Sequence, residues 1–134
     1  MTEETTSGRK VGVLEIKCPV SNATVQDLAA TRNIFFLYQK DGTLHLRRSH
    51  KYYTQVQMEM AIWGCQWADF VVFTMPRASS NGSKDDLFIE RIAFDEKFWH
   101  QKLLPACTRV FRKFIVLELL TRRLFRGVML LGLK

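Results

Sequence analysis

The chain has 134 residues, 47% of them hydrophobic, which fills one domain core but not two, so it reads as a single unit or as one piece of a larger one. Twenty Lys and Arg against thirteen Asp and Glu give a formal net charge of +7, a surplus that suits a polyanionic partner and equally suits a protein using charge only for solubility. Cys18, Cys65 and Cys107 are odd in number and far apart, neither a disulfide framework nor a zinc pattern. With no run of ~18 apolar residues and no apolar core in Met1 to Lys10, the expected setting is intracellular, nuclear or cytoplasmic, with no membrane partner.

Residues 1 to 10 show no hydrophobic periodicity. Val11 to Val20 then reads as a strand of β-branched and aliphatic residues ended by Pro19. Ser21 to Asn33 is mixed, with room for one or two helical turns from Thr24. Ile34 to Gln39 and Thr43 to Arg47 flank Lys40-Asp41-Gly42, a good hairpin signal. Ser49 is placed to cap a helix from about His50 to Gly64, on which Tyr53, Val56, Met60 and Trp63 form an apolar face and Tyr52, Gln55, Glu59 and Ile62 a neighbouring stripe. Asp69 to Thr74 has the unbroken apolarity of a central strand covered on both faces. Arg77 to Asp86 reads as a loop and Leu87 to Phe94 as another strand. Asp95 opens the longest helix, predicted to reach about Arg126, with Trp99, Leu103, Cys107, Val110, Phe114 and Leu117 on one side and Pro105 kinking or splitting it. This order of elements is α/β or α+β.

Glu15 and Lys17 are two apart on a predicted strand, so both side chains share one face while Leu14 and Ile16 point into the opposite layer. Such a pair suits phosphodiester hydrolysis. A carboxylate can hold Mg²⁺ or Mn²⁺, the Ile16 carbonyl can add a second hard oxygen, and an ammonium can orient water or steady developing charge. The bare triplet is common, and a surface-facing ion pair fits it too. Gln55 can donate to a bound water or phosphate and accept from Lys17; it also fits a polar helix boundary. Arg47, Arg48, His50 and Lys51 form a basic cluster at the helix start, suited to a DNA backbone or to a solvated loop. Arg109, Arg112, Lys113, Arg122, Arg123 and Arg126 make the last helix basic, a secondary binding surface or a solvated face. The three His share no metal-ligand spacing, and no Ser-His-Asp, Cys-His or phosphate-loop arrangement stands out.

The string VLEIKCP, then HKYYTQVQMEMAIWG, CQWADFVVFT, IERIAFDEKFW and a long terminal helix resembles the YqaJ-type viral recombinase family, which includes the phage lambda-type exonucleases of the PD-(D/E)xK superfamily. The resemblance covers about Gly12 to Leu120. It implies a restriction-endonuclease-like core, a mixed sheet flanked by helices, and Mg²⁺- or Mn²⁺-dependent digestion of double-stranded DNA from an end, as in DNA recombination and repair. By the same resemblance Glu15 is the metal-binding acid and Lys17 the catalytic lysine, while the Ile16 carbonyl stays a metal-ligand candidate from the strand chemistry above. Gln55 is the active-site glutamine, and Tyr52 and Gln57 give support; the basic cluster read above adds Arg47, Arg48 and Lys51, with Tyr52 beside them, as the DNA-binding candidates.

The family also carries an Asp on a strand ahead of VLEIK. Here Met1 to Lys10 occupy that place, and Glu3 and Glu4 stand beside the polar Thr5, Thr6 and Ser7. The implied organisation is a segment at 1–10 outside the fold, a partial exonuclease domain over 11–126, incomplete at the N-terminus, and a tail at 127–134. A site short of one carboxylate implies weak or absent activity, with a catalytically inactive DNA-binding or protein-interaction remnant as the alternative. An uncovered sheet edge implies a homo-oligomer or a partner chain that covers it.

Overall fold

The computed structural model describes residues 11–20, 23–30, 36–74, 86–122 and 125–127. It divides into two compact units, Met1–Phe94 and Asp95–Lys134. The first is a mixed α+β unit. Strand β1 (Val13–Lys17) stops where Pro19 follows, a residue with no N–H to give a ladder. Helix α1 (Val25–Ala30) is started by a Thr24–Asp27 box: the Thr24 hydroxyl lies 2.7 Å from Asp27 Oδ2 and accepts from the Asp27 N–H at 3.1 Å. Asp86 adds an acceptor for the Val25 N–H at 2.6 Å. Strands β2 (Leu37–Lys40) and β3 (Thr43–Leu46) pair antiparallel around Asp41 (φ 50°) and Gly42 (φ 79°), two left-handed residues that match the twist of the hairpin. Helix α2 (Lys51–Trp63) ends at Gly64, φ 66°, whose N–H returns to the Met60 carbonyl.

Strand β4 (Trp67–Thr74) is the centre of a three-stranded sheet ordered β1-β4-β5, with β5 spanning Asp86–Ala93. The β1–β4 pair is parallel, from Val13↔Ala68 to Lys17↔Val72, and β4–β5 is antiparallel, from Trp67↔Ala93 to Thr74↔Asp86. A parallel pair needs a crossover, and the stretch holding α1, the hairpin and α2 supplies it. One face of the sheet, with Ala68, Phe70, Val72 and Ile92, is buried with Tyr53, Val56 and Met60 of α2 and with Val25, Phe36, Leu37 and Leu46. Gln57 is fully buried among them and its Nε2 donates to the Ala93 carbonyl at 2.9 Å, which satisfies the amide and ties α2 to the end of β5. Glu90 ties the hairpin to β5, accepting from the Leu46 N–H at 2.6 Å.

Several sequence expectations shift. Leu14 and Ile16 are 62% and 52% exposed, so they do not enter a layer, and the covered side of β1 is the one bearing Glu15 and Lys17. A period of two says which residues share a face; packing decides which face is inside. The α2 cap is His50 rather than Ser49: His50 has extended backbone and its Nδ1 accepts from the Tyr52 N–H at 3.2 Å. Trp63, expected on the apolar face, is 76% exposed. On β4, Ala68, Phe70, Val72 and Thr74 are buried on one face; on the other Val71 is buried and Trp67, Asp69 and Phe73 are only partly covered. The expected positions Ile34 and Phe35 and most of the 77–86 loop lie outside the described residues.

The second unit is one helical run from Glu96 to Thr121, capped by Asp95, whose carboxylate accepts from the Phe98 N–H at 2.9 Å. It contains two π stretches, Trp99–Leu103 and Phe111–Ile115. Pro105 neither splits nor ends it. The i→i+5 bond from the Leu104 N–H to the Trp99 carbonyl carries the chain into a turn where the missing Pro105 N–H is tolerated. The wide turns also break the expected 3.6-residue stripe: Leu103 is buried and Trp99, Phe114 and Leu117 are half-buried, but Cys107 and Val110 are exposed. The run ends earlier than Arg126, at Thr121, where Arg122 turns left-handed with φ 49°. Among the described residues no helix is long and apolar enough to cross a membrane.

Candidate functional site

The covered side of β1 faces the first three turns of α2, and four side chains meet there. Lys17 and Glu15 form an ion pair, with the two side chains 19% and 17% exposed. Lys17 Nζ donates to Gln55 Oε1 at 3.0 Å. The Gln55 Nε2 donates to Glu15 Oε1 at 3.0 Å and to Glu59 Oε1 at 2.8 Å. These contacts settle the amide orientation, because flipping it would set its oxygen against two carboxylates and its NH₂ against an ammonium. The Tyr52 ring lies beside the group, its centroid 4.2 Å from Lys17 Nζ, close enough for a cation–π contact. Tyr52 is itself held edge-on by Phe36 and His50, each 4.7 Å away between centroids.

Glu15, Lys17, Gln55 and Tyr52 are thus brought together. Ile16 lies between the two charged residues with its side chain on the opposite, exposed face. The basic residues before α2 disperse: Arg48 donates to the Tyr53 hydroxyl at 2.6 Å and lies over that ring, Arg47 lies 5.7 Å from the Tyr38 ring, and exposed Lys51 reaches the Tyr52 ring at 5.8 Å. Arg48 therefore satisfies the hydroxyl of a buried tyrosine, a role its place in a basic run does not reveal. In the second unit Arg109, Arg112 and Lys113 are exposed and line a shallow groove with Leu104, Pro105 and Thr108. Arg123 is outside the described residues.

Glu59 is the member of the cluster to which the sequence assigned no chemistry. Its signal was its place four residues after Gln55, on the same helical stripe. Glu59 Oε2 is buried and has no hydrogen-bond partner, so this carboxylate is only half satisfied. No group of three or more His, Cys, Asp and Glu that could hold a metal ion occurs among the described residues.

His50, at the helix start, has its pKa lowered by burial and by the neighbouring Lys51 and Arg47. That favours the neutral ring whose Nδ1 can accept from the Tyr52 N–H. On the sheet's other face, Arg91 makes a bidentate pair with Asp69, both bonds 2.8 Å, and holds its carboxyl below the ordinary aspartate value. This pair joins registered positions of β4 and β5 across from the cluster.

The chain matches no family model, no curated protein and no solved structure.

Proposed function

We propose that this chain carries the catalytic corner of a metal-dependent nuclease that hydrolyses phosphodiester bonds of double-stranded DNA from an end. The observation that carries the reading is the closed set of contacts among Glu15, Lys17 and Gln55. An acid, an ammonium and an amide in one recess are the groups this reaction asks for, and the order of the VLEIKCP and HKYYTQVQ segments lends the reading its family resemblance. A restriction-endonuclease-like core is part of the same proposal, supported by a parallel β1–β4 pair that presents the acid beside a helix bearing the amide.

The donor set fits Mg²⁺ or Mn²⁺. Both take oxygen ligands, and Mg²⁺ is commonly held by one or two carboxylates while keeping several waters. Glu15 and the Ile16 carbonyl would hold such an ion, and the buried, unpartnered oxygen of Glu59 supports the reading as a free acceptor in the same cluster. When bound, the ion supplies Lewis acidity and a more acidic water. Lys17 offers its ammonium to the charge that develops on phosphate, and Gln55 keeps that ammonium and the Glu15 carboxylate in fixed relation. Lys51 and Tyr52 flank the cluster where a DNA backbone would pass; the second unit, taken by itself, carries exposed Arg109, Arg112 and Lys113, a basic face suited to phosphate.

The test is degradation of linear duplex DNA with Mn²⁺ or Mg²⁺. Activity that disappears in Glu15→Ala and in Lys17→Ala supports the assignment; equal activity in both variants overturns it. Salt-sensitive duplex binding without cleavage would replace the enzyme with a binding remnant of the same site.

A further inference from the structure

We propose that Glu59 is the second acidic ligand of the cation held by Glu15, an inference that rests on the nuclease reading above and adds to it a residue from a different element. Glu15 comes from the edge strand and Glu59 from the third turn of α2, yet one oxygen of each lies within hydrogen-bond reach of the same Gln55 nitrogen. The two carboxylates are therefore held on either side of one amide nitrogen.

The charge count there is unbalanced. Two acids face a single ammonium, and Lys17 makes its contacts with Glu15 and Gln55. Glu59 receives only the amide, on Oε1, while Oε2 is buried and unpartnered. A buried carboxylate oxygen without a donor has lost its water and gained nothing in return. A divalent cation relieves that deficit and the unbalanced charge together, and its preference for hard oxygen matches what is left over.

The experiment is calorimetric titration of Mn²⁺ alone into the full chain, for the parent protein and for Glu59→Gln, Glu59→Asp and Glu15→Gln. Glu59→Gln retains an acceptor for the Gln55 amide and removes the negative charge, so it separates holding the amide from holding the ion. The expected result is Mn²⁺ binding weakened at least tenfold in Glu59→Gln and in Glu15→Gln, with Glu59→Asp in between. Undiminished binding in Glu59→Gln, with loss in Glu15→Gln, overturns the Glu59 assignment and leaves the nuclease reading standing. A parent chain that takes up no Mn²⁺ overturns both. Should Glu59→Gln fail to fold, Glu59→Asp decides: it keeps the charge and shortens the reach, and affinity equal to the parent's rejects the assignment.

Discussion

Replacing Lys17 with Met removes one charge from the recess and keeps the aliphatic stem. The ammonium is paired with Glu15, donates to Gln55 Oε1 at 3.0 Å and lies 4.2 Å from the Tyr52 ring centroid. Without it, Glu15 and Glu59 share a recess with only the Gln55 amide between them. A unit pair at ~4 Å gains about 4 kcal/mol at an effective dielectric of ~20, from which the desolvation of both ions must be taken. Both side chains are less than one-fifth exposed, so the net loss should fall between the roughly 0–1 kcal/mol of surface pairs and the roughly 3–5 kcal/mol of fully buried ones, at about 2 kcal/mol. For a chain of this size that lowers Tm by roughly 6–10 °C. Equilibrium urea unfolding of Lys17→Met, Glu15→Gln and the double variant measures it. The double variant should recover part of the loss of Lys17→Met, because the acid left behind is what destabilises the single one. A Lys17→Met stability within about 0.5 kcal/mol of the parent would refute the reasoning and return Glu15 and Lys17 to a surface ion pair.

His50 gives a pH dependence. Its folded pKa lies below the unfolded value of about 6.5, so its contribution to stability is complete above that pH and is lost as pH falls through the folded value. Protonation would also end acceptance from the Tyr52 N–H and place a cation at the positive end of α2. Thermal melts from pH 7.5 to 5 should show a drop that His50→Asn reduces; an equal drop in the variant rejects the assignment. Tyr53→Phe and Arg48→Ala each remove one end of the same 2.6 Å bond beside a buried ring and should each lower stability by about 1–2 kcal/mol in urea unfolding. Because they break one interaction, the double variant should lose less than the sum, and full additivity would show that the bond contributes nothing.

How far the fold could be read from sequence followed the range of the forces involved. The Asp41-Gly42 turn and the Gly64 stop depend on residues that tolerate left-handed backbone, and both stand where the sequence put them. The run Phe70-Val71-Val72-Phe73 marked the central strand for a similarly local reason. The side of β1 that would be covered was not legible, nor was the exposure of Trp63, because each depends on tertiary packing between elements distant in sequence. The π turns at Trp99–Leu103 and Phe111–Ile115 have no period that an α-helical stripe could detect. At the site, spacing placed Glu15 with Lys17 and Gln55 with Glu59, but only tertiary structure could bring the two pairs into hydrogen-bond contact.

The inversion of β1 bears most directly on the site. A strand that alternates Leu14, Glu15, Ile16 and Lys17 is most cheaply packed with its aliphatic residues against the helix, at about 25 cal/mol for each Å² of apolar surface removed from water. Here the aliphatic pair is more than half exposed and the charged pair lies against α2. The amide of Gln55 and the ring of Tyr52 meet those charges, so the helix is built to receive them. A local preference overruled in this way, with polar partners waiting on the neighbouring element, is where a functional demand on the fold is to be sought. If stability alone shaped this face, Glu15→Leu combined with Lys17→Leu would disrupt the Gln55 and Glu59 contacts without compensation. If function shaped it, the same double substitution should fold at least as stably as the parent while abolishing Mn²⁺ binding, as replacement of buried ion pairs by apolar residues often does.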